Sequence, residues 1–258
     1  MSASVAIVTG ASQGIGRATA IRLSRDFSAV VLVARNLQSL NETAAHVKAA
    51  GAEPLVLVLE LDLSKPSSAQ TVVSLTLERF GRIDALLNIA GAVPQIDLFE
   101  MTDEQWDGGM ALKLHGARRL TLHAWDALKA TQGAVVLTSG NSALFPKAPY
   151  AAVGTINAAI VALAKAFCDR GLKDGVQVNS VLPGPVMTGR RRSYLEKWAP
   201  AHKVSLEDAT QKFLSDAGIS RYGEPEEIAD LMAFLVSPAA RWMTGAALRM
   251  DGGEVKSI

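Results

Sequence analysis

Short apolar runs rich in β-branched residues recur along the chain, at residues 5–8, 29–33, 55–59, 85–87, 134–137, 176–181 and 246–250. Those that are apolar throughout, without the alternation of a half-exposed strand, predict strands buried on both faces of a parallel sheet. Between most of them lie stretches long enough for a helix: residues 15–25, 37–50, 67–80, 103–129 and 150–170. The alternating order predicts an α/β fold, a single doubly wound parallel sheet of about seven strands with helices on both faces.

Local signals agree. Thr102-Asp-Glu-Gln105 has the form of a capping box ahead of the fourth helix. Gly51 to Pro54 reads as a helix stop before a strand, and Gly171 and Gly175 read likewise before the sixth strand. No Pro/Gly/Ser-rich linker and no internal repeat interrupts the pattern, so one domain is expected over residues 1–258. The least regular region, residues 183–224, reads as a long insertion near a strand end.

Composition narrows the classes. Hydrophobic residues make up 49% of the 258 and charged residues 20%, enough apolar matter to fill a core and too few charges for wholesale disorder. Lysine and arginine (26) nearly balance aspartate and glutamate (25), which argues against a nucleic-acid binder working through bulk charge. The single cysteine, Cys168, allows no internal disulfide, and His46, His115, His123 and His202 lack metal-ligand spacing. The N-terminus has only four consecutive apolar residues, and the richest apolar stretch, 158–167, is broken by Lys165. A cytoplasmic protein with no membrane and no nucleic-acid partner is expected.

The first strand runs into Thr9-Gly-Ala-Ser-Gln-Gly-Ile-Gly16. Gly10, Gly14 and Gly16 permit a tight turn, and the helix they open presents free N–H groups and the positive end of its dipole. Ser12, Gln13 and Ile15 complete a loop suited to a pyrophosphate; a glycine-rich turn without a ligand is the other reading.

With further markers in order, the chain resembles a short-chain dehydrogenase/reductase of the classical type. The markers are Asp62 after the third strand, Asn88-Ile-Ala-Gly91 after the fourth, Pro183-Gly184-Pro-Val-Met-Thr188 after the sixth, Gly223-Glu-Pro-Glu-Glu-Ile-Ala229, and Asp251-Gly-Gly253. The resemblance covers essentially the whole chain. It implies that Asp62 and Leu63 contact adenine. Asn88, Ala90 and Gly91 would line the ribose and dinucleotide, and Val186 and Thr188, after Pro183 and Gly184, would hold the nicotinamide amide. A solvated turn is the alternative for Asp62, and a structural cap between strands for Asn88. The second strand ends Val33-Ala-Arg-Asn36. No acid stands there to repel a 2′-phosphate, and Arg35 can pair with one, so NADP(H) is favoured over NAD(H).

The resemblance also implies a tyrosine acid/base, a lysine four residues later that binds ribose and stabilises tyrosinate, a serine that polarises the substrate carbonyl, and an upstream asparagine. Here the pattern breaks. Tyr150-Ala-Ala-Val-Gly154 has the tyrosine without the lysine, and the asparagine position falls on Lys113. A plain alignment puts Gly140 at the serine position, leaving Ser139 or Ser142 to serve. Bringing a tyrosine from its ordinary pKa near 10 to neutrality takes about 4 kcal/mol of differential stabilisation. Lys113 is expected to supply that charge by reaching into the space left by Gly154; facing away, or pairing with a carboxylate, is the alternative.

Residues 188–222 would form a substrate lid, with Arg190-Arg191-Arg192 and Lys197 attracting a carboxylate, phosphate or acyl carrier, and Tyr194 and Trp198 forming an apolar wall. A solvated basic turn with packed aromatics is the other reading. The expectation is an NADP(H)-dependent oxidoreductase acting on a small carbonyl or alcohol substrate, anionic on the reading of the basic run, with a non-standard active site. The alternative is a non-catalytic NADP(H)-binding regulatory protein. A homo-oligomer, tetramer or dimer, is implied by the resemblance alone.

Overall fold

The computed structural model describes residues 4–50 and 54–257. Seven strands form one parallel sheet in the order β3-β2-β1-β4-β5-β6-β7: β1 (Val5–Thr9), β2 (Ala29–Ala34), β3 (Leu55–Glu60), β4 (Ala85–Asn88), β5 (Ala134–Thr138), β6 (Gln177–Pro183) and β7 (Ala247–Met250). Strands β1, β2, β4 and β5 are buried almost throughout, as their largely apolar sequences demand, and so is β6, although it carries Gln177, Asn179 and Ser180; β3 and β7 form the edges and are partly exposed.

Each face of the sheet carries its own core. On one, α3 (Pro66–Phe80), α5 (Ala117–Thr131) and α6 (Ala151–Asp174) cover Val5, Ile7, Leu86 and Val135. On the other, α1 (Gly14–Leu23), α2 (Leu37–Ala50) and α9 (Pro225–Leu235) cover Ala6, Val8, Leu87 and Val136. Successive residues of one strand point to opposite cores, which is why no position in β1 is polar until Thr9. The Thr9 hydroxyl accepts from the backbone of Ile89 and Ala90 and donates to Leu87, joining the ends of β1 and β4.

Three sequence expectations change. The helix expected over 103–129 is divided into α4 (Asp103–Gly109), a π-helical segment (Met110–Gly116) and α5. The Thr102 capping box is present, but Gly108 and Gly109 precede the wide turn, and a side chain at Gly109 would press on Ile156 and Val93. Helix α6 runs to Asp174, with Gly175 left-handed at its end, so Gly171 lies within the helix, backed onto the Val176 carbonyl. The Gly51–Glu53 part of the expected helix stop lies outside the described residues. Finally, Ala148–Asp174 is long and apolar enough by composition to cross a bilayer, with mean hydropathy 1.7. Lys165 does not break it, because that side chain sits on the exposed face, while Ile156, Ile160, Ala164 and Phe167 pack into the core against the sheet.

Candidate active site

The strand order reverses between β1 and β4, and a cleft of about 440 Å³ opens there at the carboxyl ends of the strands. Gly10, residues 12–16, Arg35, Leu63, Ala90, Gly91 and Thr188 line it. The glycines are required by geometry. Gly10 and Gly14 have φ of +66° and +54°, and a Cβ on Gly16 would lie 2.1 Å from the Gly10 carbonyl oxygen. Gln13 precedes α1 without a side-chain cap, and no acidic residue stands in the first turn, so its leading N–H groups face the cleft uncontested. This cradle fits a dinucleotide pyrophosphate.

Five residues expected at the cofactor are not on the cleft wall. Asn88 is buried and donates from Nδ2 to Thr121 Oγ1 at 3.1 Å, a tie between β4 and α5. Asp62 accepts from the Ser64 backbone and hydroxyl at 3.0 and 2.8 Å. Burial opposes its charge, but those bonds and the fields of Arg35 and Lys65 hold its carboxyl below the ordinary value. Pro183 pairs with β7, Gly184 is pressed against the Asp251 backbone, and Val186 is buried in the core. Asn36, Ser39, Leu112 and Arg190 line the cleft without having been expected at the cofactor. Their signal was adjacency to Arg35, Lys113 and Thr188, read too narrowly.

Arg35 is exposed on the cleft rim at the end of β2, beside Ala34. Thr188 accepts from the Arg191 backbone and so caps α7 (Gly189–Ala201), while its methyl packs near Gly14. Helix α7 and α8 (Leu206–Ala217) occupy the region expected as a lid. Tyr194 and Trp198 do share a face: both meet Phe213 edge-on, at 5.7 and 5.1 Å between centroids. The Arg191 guanidinium lies 5.6–5.8 Å from the rings of Tyr194, Phe213 and Tyr222, so this part of the basic run is packed among aromatics.

Lys113 does not enter the space beside Gly154. That space is filled: a Cβ on Gly154 would lie 2.7 Å from Pro146 Cβ and 3.1 Å from the Ser142 carbonyl oxygen. The lysine instead leaves the π segment alongside Gly91 and donates from Nζ to the Ser139 carbonyl, at 3.1 Å, and to Asn157 Oδ1. Asn157, nearly fully buried, is bonded at both ends of its side-chain amide. Its Nδ2 donates to Ser142 Oγ at 2.8 Å, and its backbone carbonyl accepts from Ser139 Oγ at 2.7 Å. Gly140 makes room for it, since a Cβ there would lie 2.6 Å from Asn157 Nδ2. Burial, and then the field of Arg190, push the half-buried Lys113 amine down to about 8.

These bonds reassign the expected hydroxyls. Ser139 is buried and gives its proton to a helix carbonyl, so it is not aimed at a ligand. Tyr150 ends the 3₁₀ turn Ala148–Tyr150, half-buried, ahead of α6. One turn before Asn157, on its face of α6, stands Val153. Asn157 was legible in principle: an asparagine amid Ile156, Ala158, Ala159 and Ile160 is a poor helix former on an apolar surface, placed there for its side chain.

A family model described as enoyl-(acyl carrier protein) reductase matches residues 10–254. The NADPH-dependent reductase BacG of Bacillus subtilis is 30% identical over 261 residues, covering 100% of both chains. The 3-oxoacyl-[acyl-carrier-protein] reductase of Synechocystis is 28% identical over 258 residues, covering 99% of this chain and 98% of that one. The crystal structure of L-sorbose reductase from Gluconobacter frateurii, complexed with NADPH and L-sorbose, superposes with a TM-score of 0.95 at 28% identity, covering 100% of this chain and 98% of the other.

Proposed function

Since this chain belongs to the short-chain dehydrogenase/reductase family, we propose that it is an NADP(H)-dependent oxidoreductase interconverting a small carbonyl compound and its alcohol at a non-standard proton-transfer site. The observation that carries the reading is the glycine-walled cleft at the β1/β4 reversal, with Arg35 at its rim and the Lys113–Asn157 pair behind Gly91. Relatives whose names specify NADPH support the choice of dinucleotide.

When bound, the dinucleotide supplies or accepts a hydride. The chain's own residues do the rest. The first turn of α1 and the loop at residues 12–16 take the pyrophosphate, Arg35 takes the 2′-phosphate, and Leu63 and Ala90 form apolar walls. Asp62, Asn88, Pro183, Gly184 and Val186 serve the same site by holding strand ends and loops. Thr188 fixes the start of the lid helix and presents its hydroxyl to the cleft. Lys113 brings a positive charge to the substrate end. Helices α7 and α8 cover the substrate, and Arg190 favours one that carries negative charge. Titrating the protein with NADPH and NADH tests the reading: tighter binding of NADPH is expected, and failure of both to bind overturns it.

A non-catalytic, NADP(H)-binding regulatory protein is the second reading. It is favoured by the absence of a hydroxyl at Gly140 and Val153, the positions flanking Asn157. Self-association into a dimer or tetramer belongs to either reading. Phe99 and Trp242, 93% and 99% exposed, offer apolar surface for it, and sedimentation would measure it.

A further inference from the structure

The pair behind Gly91 consists of a lysine on the π segment and an asparagine on α6, where the family resemblance leads one to expect an asparagine on the first and a lysine on the second. The two residue types have exchanged helices while keeping contact through Lys113 Nζ and Asn157 Oδ1. The exchange changes which groups can give a proton. In the resemblance, the acid stands one turn before the α6 lysine. One turn before Asn157 stands Val153, which has no proton to give. The Ser139 proton is committed to the Asn157 carbonyl, and Gly140 has no side chain and no room for one.

We infer that Lys113 is itself the proton donor of this site, and that Asn157 is its positioning residue. The inference rests on the reading of the chain as an oxidoreductase. An ammonium has three N–H bonds. Two point at the Ser139 carbonyl and at Asn157 Oδ1, which fixes the nitrogen and leaves the third without a partner among the described residues. The lysine's aliphatic arm passes beside Gly91, which lines the cleft together with Leu112 and Arg190, so the amine stands behind that wall, next to the cleft. Both bonds to Lys113 come from neutral oxygens, so neither holds the proton as a carboxylate would. Burial and Arg190 lower the amine to about 8, the range in which a general acid near neutral pH is effective.

In the reduction direction, a bound dihydronicotinamide would supply the hydride that forms the new C–H bond at the carbonyl carbon and would itself be oxidised. The C=O π pair moves to oxygen, which takes a proton from Lys113 Nζ. The lysine is left as a neutral amine and regains its proton from water. Asn157 Nδ2 remains tied to Ser142 throughout, keeping its oxygen turned to the amine.

The test separates a proton donor from a mere positive charge. Lys113→Arg keeps a cation but has no dissociable proton near neutral pH. Turnover is sought first with NADPH and a panel of ketones, keto acids and acyl thioesters. Lys113→Arg and Lys113→Met are then each expected to lose about 100-fold or more in kcat while binding NADPH as the parent does. Tyr150→Phe should stay within about 3-fold. The parent rate of reduction should fall as pH rises past about 8. Asn157→Asp sets a carboxylate against the ammonium and should move that fall to higher pH. Without cofactor, pH-dependent labelling of Lys113 by an amine reagent, read by mass spectrometry, should show a midpoint near 8 in the parent and a higher one in Asn157→Asp.

Full activity in Lys113→Arg, or loss of activity in Tyr150→Phe with an unmoved pH profile in Asn157→Asp, overturns the inference and leaves the oxidoreductase reading standing. NADPH binding with no turnover across the panel overturns it in favour of the non-catalytic reading. Failure of the parent to bind NADPH overturns the functional reading itself.

Discussion

Lys113 and Asn157, on neighbouring helices and 44 positions apart in the chain, are joined by a hydrogen bond from ammonium to amide oxygen behind Gly91. The contact depends on the wide turn of the π segment, which carries Lys113 past Gly91, and on two glycines. Gly91 clears a path for the lysine arm, and Gly140 clears a space for the amide.

Because its amine is lowered from 10.5 to about 8 by burial and then by Arg190, Lys113 links folding to pH. An unfolded lysine keeps its proton up to about pH 10.4. Between pH 8 and that value the unfolded chain binds more protons than the folded one, so this group's contribution makes stability rise with pH across the window. Below pH 8 both states are protonated and the contribution is flat. Denaturant melts of the parent and Lys113→Met should differ in slope over pH 8–10.5, with the rise missing from the variant. Parallel curves would show that the amine titrates where a free lysine does.

Arg35→Ala should weaken NADPH binding by about 1.5–3 kcal/mol, roughly 10- to 100-fold, with little effect on NADH, since it removes a charge-assisted bond to a phosphate. Calorimetry with both dinucleotides checks this. An unchanged preference would move the phosphate contact away from the end of β2.

Gly14→Val should abolish dinucleotide binding while the chain stays folded, because the loop backbone has to approach the pyrophosphate at a φ of +54°. Gly16→Ala should do more damage, including to stability, since its Cβ would collide with the Gly10 carbonyl. Circular dichroism and NADPH titration separate the two effects. A folded Gly14→Val that binds normally would reduce the loop to a turn.

Phe213→Ala removes the ring against which Tyr194 and Trp198 pack, and should loosen α7 and α8 without touching the cleft floor. The expected outcome is a raised KM for the carbonyl substrate, with NADPH affinity kept within about 3-fold. Equal losses in both would mean that these helices support the whole cleft.

The sheet was legible because most of its strands are largely apolar on both faces and all but the last are followed by a helix-length stretch, so burial and alternation together set the order of elements. The cleft followed from glycines that only a turn against a carbonyl requires. The catalytic end was misread for a physical reason. Counting four residues from Tyr150 led to Gly154, but the surface that meets Lys113 is set by helical phase, and Asn157 lies on it while Gly154 turns toward Pro146. A three-residue shift in the starting point rotates a helix by about 60°, enough to exchange one neighbour for another. Tyr150 precedes the helix in a 3₁₀ turn, so counting from it carried that offset. The division of residues 103–129 was equally hidden, because a π turn uses the same residues as an α turn and is decided by what packs against it.

The Lys113–Asn157 contact also limits how this chain can vary. Between its arrangement and the reverse one lie only two single-step intermediates. With lysine at both positions, two ammonium groups would stand within bonding distance, with no carboxylate among the bonds that hold the pair and with Arg190 adding to the repulsion. With asparagine at both, two neutral amides can satisfy each other, Ser142 and the Ser139 carbonyl. The passable route therefore runs through a form without the cation, folded and able to hold its ligand but silent in chemistry. On the reading of Lys113 as the proton donor, one substitution would separate a binding protein from an enzyme in this fold.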